Sequence, residues 1–354
     1  MPTFSLHDEA ALSLTGPGPI ADQLRRIYER FPTTTRSPDL RIEVGAVFEP
    51  QGPVLGGPKN GYARDEGFLI TYGDRRAKLD EDWRTLRTEP EFSAALTITL
   101  AEGELRKKLA ARDPATAMVH ASAVEYEGET ILFPAWKGSG KTNTLLTFLE
   151  AGANHIADDR LWLDSRGIIH GYPTPLHLHR YNLRSFPDLD PGFSTRRARL
   201  SERIAEGTRR SNSRLARTAS VLNDALLTQS AWAQVDESFP ETTQRHEAEI
   251  DRIVLLQATT ADEPSRERLS VESFSTAMAA IHEDEWNRDL DGIHRAFDTL
   301  FDGEKTDELD ALRERERHSI SQAARDTPLY RLSVPRRDHW DETLKRALLD
   351  VTVQ

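Results

Sequence analysis

The sequence predicts an α/β protein built on a P-loop nucleotide-binding core, with a mixed β-rich N-terminal part and helical additions. Three observations predict it. The run Ala135-Trp136-Lys137-Gly138-Ser139-Gly140-Lys141-Thr142 follows the pattern of a glycine, four residues and Gly-Lys-Ser/Thr, with alanine at the first position. An apolar strand, Thr130-Ile131-Leu132-Phe133, precedes it, and a helical pattern from Lys141 to Glu150 follows. The acidic pair Asp158-Asp159 then closes the short apolar run that begins at His155.

The other elements fall in order around this centre. A short lead precedes a helix from Ile20 to Arg30, closed by Pro32. Leu40 to Val44 alternates apolar and polar residues, the period of a half-buried strand. A Gly/Pro-rich loop runs from Gly52 to Gly61, and strands at Gly67–Tyr72 and Arg76–Leu79 meet at the Gly73-Asp74 turn. Ala95 to Leu100, apolar and threonine-rich, reads as a strand, and Glu102 to Arg112 as a helix with acids first and lysines later. Met118 to Val124 and Thr130 to Phe133 read as strands around the Glu127-Gly128 turn, and Gly152 suits the end of the loop helix. Leu161–Leu163 and Ile168-Ile169 form a hairpin, and Leu176 to Arg180 another strand. Ser194 to Leu227 is helical and arginine-rich, and Ile250 to Gln257 is an apolar-centred strand. Helices are expected at Ser273–His282, Asp289–Leu300 and Asp307–Ala324, an edge strand at Leu329–Val334, and a last helix from about Trp340 to Leu349. This divides the chain into residues 1–115, of no assigned role, and a nucleotide-binding domain over 116–354.

Composition narrows the classes. The chain is 38% hydrophobic and 29% charged over 354 residues, which fits a globular protein. It has no apolar run of about 18 residues, so no membrane span is expected, and its first residues do not read as a signal peptide. There is no cysteine, which excludes disulfides, thiolate metal sites and a cysteine nucleophile. The net charge of −12 argues against non-specific nucleic-acid binding, which needs cations to displace counterions from phosphates. A cytoplasmic location is expected, with a homo-oligomer left open. Arginine far outnumbers lysine, so Lys141 stands out.

The loop carries the chemistry. Gly138 and Gly140 let the backbone curl so that N–H groups face phosphate oxygens, and the helix N-terminus adds partial positive charge. Lys141 would reach the β- and γ-phosphates, and the Thr142 hydroxyl would sit on Mg²⁺. Trp136 either stacks on a base or covers the loop. Of the acidic pair, one carboxylate can hold the metal and the other can take a proton from an attacking hydroxyl. The plain alternative for the pair is a turn. His120, taken alone, reads as a core or edge histidine.

The ordered stretch His120-Ala121-Ser122-Ala123-Val124, Glu129 to Phe133, the loop, Leu149 to Ala153, and Ile156-Ala157-Asp158-Asp159-Arg160 resembles the HPr kinase/phosphorylase superfamily, whose core the phosphoenolpyruvate carboxykinases share. The resemblance covers about residues 117–182, with Ile253–Leu256 and Thr327–Pro335 similar to trailing strands of divergent members. It implies an ATP-dependent kinase that uses ATP and Mg²⁺ and phosphorylates a hydroxyl acceptor: a protein or peptide side chain, or a free serine-like molecule. It implies that Lys141 and Thr142 bind phosphates and Mg²⁺, that Asp158 and Asp159 divide the roles of base and metal partner, with Asp159 beside Thr142 on the metal, and that His120 lies beside the transferring group. The downstream Arg-Gly-Leu/Ile-Gly signature of the bacterial enzymes is absent, so the sugar-transport phosphocarrier is not implied as substrate. Without that signature, and with Ala135 in the loop, the alternative is a nucleotide-gated regulatory module with little catalysis.

Two further clusters stand out in the sequence. His177 and His179 share one strand face, where a polar face is favoured over a metal pair, and Arg180 can clamp an acceptor or a γ-phosphate. Arg196, Arg197, Arg199, Arg203, Arg209, Arg210, Arg214 and Arg217 form a basic run, read as a solvated helix in preference to a docking surface.

Overall fold

The computed structural model describes residues 2–47, 54–57, 60–189, 230–337 and 339–353; the arginine-rich run lies outside them. The chain is mixed α/β, with several sheets. The first sheet takes eight strands: β1 (Thr3–Leu6), β2 (Ala10–Thr15), β3 (Leu40–Val44), β4 (Val54–Gly56), β5 (Asn60–Asp65), β6 (Gly67–Tyr72), β7 (Arg75–Leu79) and β8 (Thr85–Thr88), in spatial order β1-β2-β3-β8-β7-β6-β5-β4. Helices α1 (Pro19–Tyr28) and α2 (Ala94–Ala110) pack on it.

Several expectations change here. The lead before α1 is a strand pair, β1 with β2. The loop expected over 52–61 contains β4 and the start of β5. Ala95–Leu100 is not a strand but the first part of α2. Its threonines suggested β structure, yet Ser93 caps the helix by accepting from the Leu96 amide, and the Thr97 and Thr99 hydroxyls donate back to the carbonyls four residues earlier.

The rest of the chain adds β9 (Thr116–Val119), β10 (Ala121–Tyr126), β11 (Glu129–Pro134), α3 (Lys141–Glu150), β12 (Asn154–Ala157), β13 (Leu161–Asp164), β14 (Ile168–Gly171), β15 (Leu176–His179) and α4 (Arg180–Ser185). After the undescribed stretch come β16 (Ser230–Ala233), α5 (Val235–Ser238), β17 (Glu247–Glu249), β18 (Arg252–Thr259), β19 (Ser265–Arg268), α6 (Val271–His282), α7 (Arg288–Phe301), α8 (Lys305–Ala323), β20 (Leu329–Pro335) and α9 (Glu342–Val353). One five-residue π-helical turn, Glu283–Asn287, joins α6 to α7. Arg180 thus opens a helix instead of ending the strand expected there.

A six-stranded sheet, β12-β10-β11-β18-β20-β19, forms the centre, with β11, β18 and β20 parallel. β20 is therefore internal and not an edge strand: β19 covers it, and β19 went unseen because Ser265-Arg266-Glu267-Arg268 offers no apolar signal. Alternate residues separate the two faces of this sheet. Ile131, Phe133, Val254, Leu256 and Val334 pack with Leu145, Phe148 and Leu344 of α3 and α9. Leu132, Ile253 and Leu255 pack with Ile156, Leu163, Phe274 and Ile320, beneath the four-stranded sheet β17-β14-β13-β9 and helices α6 and α8.

The strand expected over Met118–Val124 is two strands. β9 pairs β13 and β10 pairs β11 and β12, so the chain changes sheet at His120. The apolar core of the N-terminal sheet also crosses residue 115, taking in Met118, Trp162, Trp286, Phe297 and Leu309.

Candidate functional site

The loop between β11 and α3 is shaped by two glycines. Gly138 (φ +78°) and Gly140 (φ +96°) lie in the left-handed region, where a side chain is strained. A Cβ on Gly140 would stand 3.0 Å from the Trp340 ring. Ala135, where the pattern has glycine, is not among the positive-φ residues; it is buried and bridges Leu256 in a strand-like contact. Alanine at that point asks nothing unusual of the backbone. The Ser139 amide donates to the Trp136 carbonyl at 3.1 Å, closing the turn, and the Gly140 carbonyl accepts from the Thr144 amide at 2.8 Å, opening the helix. No side chain caps α3, and its first turn has no acid. Lys137 and Trp136 are exposed on the loop; Ser139 is buried.

Lys141, only 7% exposed, is the hub. Its Nζ lies 2.8 Å from Asp159 Oδ1 and 3.0 Å from His120 Nε2. Burial and the neighbouring Lys141 charge lower the His120 pKa to about 3, so the ring is neutral and its Nε2 accepts from the ammonium. Its Nδ1–H then faces Asp159 Oδ1 at 3.7 Å. Nε2 also lies 3.8 Å from Glu285 Oε1, on the π-turn.

The acidic pair lies just beyond β12, and its two carboxylates have different surroundings. Their divergence comes from the left-handed backbone of Asp159 (φ +70°), not from strand alternation. Asp158 is 4% exposed, and burial raises its pKa to about 6. Its Oδ2 accepts from the Thr142 hydroxyl at 3.3 Å, while its buried Oδ1 has no hydrogen-bond partner among the described residues. Asp159 is half exposed; desolvation pushes it up, but Lys141, His120 and Arg160 together hold it below the usual carboxylate range. Arg160 in turn is ion-paired to the buried Glu102 of α2. The sequence grouped Thr142 with Asp159; the structure brings Thr142 to Asp158 and puts Asp159 on Lys141.

Among the described residues there is no cluster of three or more His, Asp or Glu side chains that could hold a metal ion alone. The Thr142–Asp158 corner nevertheless fits a hard cation of the magnesium type, which takes one or two carboxylates and completes its shell with phosphate and water oxygens. The orphaned Oδ1 supplies the physical reason: a buried carboxylate oxygen without a partner is costly unless something positive meets it.

No family model matches the chain, and no curated protein matches it in sequence.

Four neighbours of the site escaped the sequence reading. Arg160 adjoins the acidic pair, with Nη2 3.5 Å from Asp159 Oδ2. Glu285 and Trp286 come from a π-turn far along the chain, and the Trp286 ring stands edge-on to His120 at 6.0 Å. Asn182 donates to Asn143 Oδ1 at 2.7 Å, tying α4 to the first turn of α3. His177 and His179 do share a face, with ring centroids 4.6 Å apart, packed between Trp232 and Tyr181. That is an aromatic face and, among the described residues, no third metal ligand joins it.

Proposed function

We propose that the protein is an ATP-dependent kinase of the HPr-kinase-like type, with a P-loop core, transferring the γ-phosphoryl group of Mg-ATP to a hydroxyl acceptor. One observation carries the reading: a buried lysine and a buried carboxylate with one unpartnered oxygen among the described residues converge at the start of an uncapped helix behind a glycine loop. Such an arrangement matches the needs of phosphoryl transfer, in which the protein chiefly positions and neutralises charge.

In this reading the loop amides and the N-terminus of α3 bind the β- and γ-phosphates, and Lys141 exchanges its Asp159 and His120 partners for phosphate oxygens. Thr142 and Asp158 are the residues that would hold Mg²⁺, whose chemistry is to neutralise phosphate charge and fix the leaving group. Asp159, released from Lys141, loses the main charge holding its pKa down and becomes free to accept the acceptor's proton. His120 stays neutral beside the transferring group, with its Nδ1–H still facing Asp159. The alternative, a nucleotide-gated module, draws on the same Lys141–Asp159 contact, which nucleotide must displace before the site rearranges.

The test is incubation of the purified protein with Mg²⁺ and γ-labelled ATP, alone, with serine- and threonine-containing peptides, and with free serine. Label is expected on the protein, a peptide or serine. If none is labelled while ATP binds, the kinase reading fails and the gated module stands.

A further inference from the structure

Four rings follow one another from β16 across β15 to the start of α4. Pairing of β15 with β16 sets His177 opposite Trp232, and their rings stack at 4.5 Å. His177 meets His179 at 4.6 Å, and His179 stacks on Tyr181 at 5.2 Å. The ladder ends in Tyr181, a large aromatic side chain left 54% exposed. Its position relative to the loop is fixed by its neighbour: the Asn182 side chain accepts from the His179 amide and donates to Asn143, two residues beyond Lys141. Desolvation, Asp158 and Asp159 all raise the phenol's pKa, so its hydroxyl lies within the field of both carboxylates and keeps its proton at neutral pH.

The other described hydroxyls around the loop are engaged or enclosed. Thr142 is bonded to Asp158, Ser139, Ser122 and Thr144 are buried, and Ser185 accepts from the Trp340 amide. The Tyr181 hydroxyl has no hydrogen-bond partner among the described residues.

We propose that Tyr181 is a self-phosphorylation site, its phenol taking the γ-phosphoryl group bound in the same chain. The inference rests on the kinase reading. In the step, the Tyr181 Oη–phosphorus bond forms and the bond from phosphorus to the β–γ bridging oxygen breaks. The electron pair leaves on ADP, and the phenolic proton passes to the Asp159 carboxylate. The phosphotyrosine would bring two negative charges to the mouth of an already acidic site and close it to an external acceptor until removed.

Full-length protein is incubated with Mg-ATP, digested and mapped by tandem mass spectrometry, with ATP binding measured by calorimetry on the same preparation. Phosphate is expected on Tyr181, formed at a first-order rate independent of protein concentration, and absent from Lys141→Ala. Tyr181→Phe keeps the ring on His179; it should melt at the wild-type temperature yet carry no phosphate there. ATP binding with Tyr181 unmodified overturns the inference and leaves the kinase reading intact. A rate proportional to protein concentration overturns same-chain transfer. Failure to bind ATP removes the inference together with the reading beneath it.

Discussion

Two charged clusters lie on either side of Trp286, and they are built differently. On one side Arg106 and Glu316, each with side chains 1% exposed, form a bidentate pair at 2.6 and 2.8 Å. Asn287 accepts from the guanidinium, the Met118 amide donates to the carboxylate, and Arg106 stacks over the Trp286 ring. Despite its burial, Glu316 is held below the usual carboxylate range by Arg106. On the other side, past His120, Lys141 serves two partners, Asp158 keeps a bare oxygen, and the adjacent carboxylates are pushed in opposite directions. A closed pair of this kind ties elements together; an open one with divergent carboxylates is the pattern of a site awaiting charge.

The comparison can be broken by substitution. Asp158→Asn and Asp159→Asn are each expected to lower phosphoryl transfer by about 10²- to 10⁴-fold, the usual range for losing a positioned proton acceptor or metal partner. Both should keep most nucleotide affinity, read by steady-state kinetics beside calorimetry; full activity in both variants would strip the pair of its assigned roles. Arg106→Ala should leave Glu316 buried and unpaired, destabilising the fold by about 3–5 kcal/mol in denaturant titration. The folded fraction should still bind ATP; loss of binding at equal folded fraction would mean that the two clusters are not separable.

Smaller effects sharpen the contrast. Gly140→Ala forces a side chain into a left-handed backbone against Trp340, at about 1–2 kcal/mol. It should reduce both melting temperature and ATP affinity, and an unaffected variant would argue that the loop relaxes. The pH response of Asp158 has a definite sign. Its folded pKa, about 6, is above the ordinary 3.8, so its contribution to stability is fully present below about pH 4 and lost as pH rises through 6. Asp158→Asn, neutral throughout, should therefore gain on wild type between pH 4 and 7 by a few degrees in melting temperature. Added Mg²⁺ should narrow that gap if the cation meets the bare oxygen.

Much of the centre was legible from sequence because local signals and the fold agree there. The glycine spacing, the β11 run and the helix Lys141–Glu150 fall where the pattern puts them, since each is specified within a few residues. Thr97 and Thr99 misled because β-branched residues can serve a helix once a cap has started it. β20 resembled an edge strand through its alternation; its cover, β19, is polar, and a polar neighbour leaves no periodic mark. The break at His120 is a change of pairing partner, which no local pattern encodes. Glu285 and Trp286 reach the site only through tertiary packing from more than 120 residues away in sequence, so spacing rules cannot find them.

The most direct test of the central claim is isothermal titration of the protein with Mg-ATP beside its Lys141→Ala variant. The account predicts saturable binding by wild type, weakened about tenfold to a hundredfold in the variant, the worth of one charge-assisted hydrogen bond to phosphate. Equal binding by both proteins, or none by wild type, would contradict it.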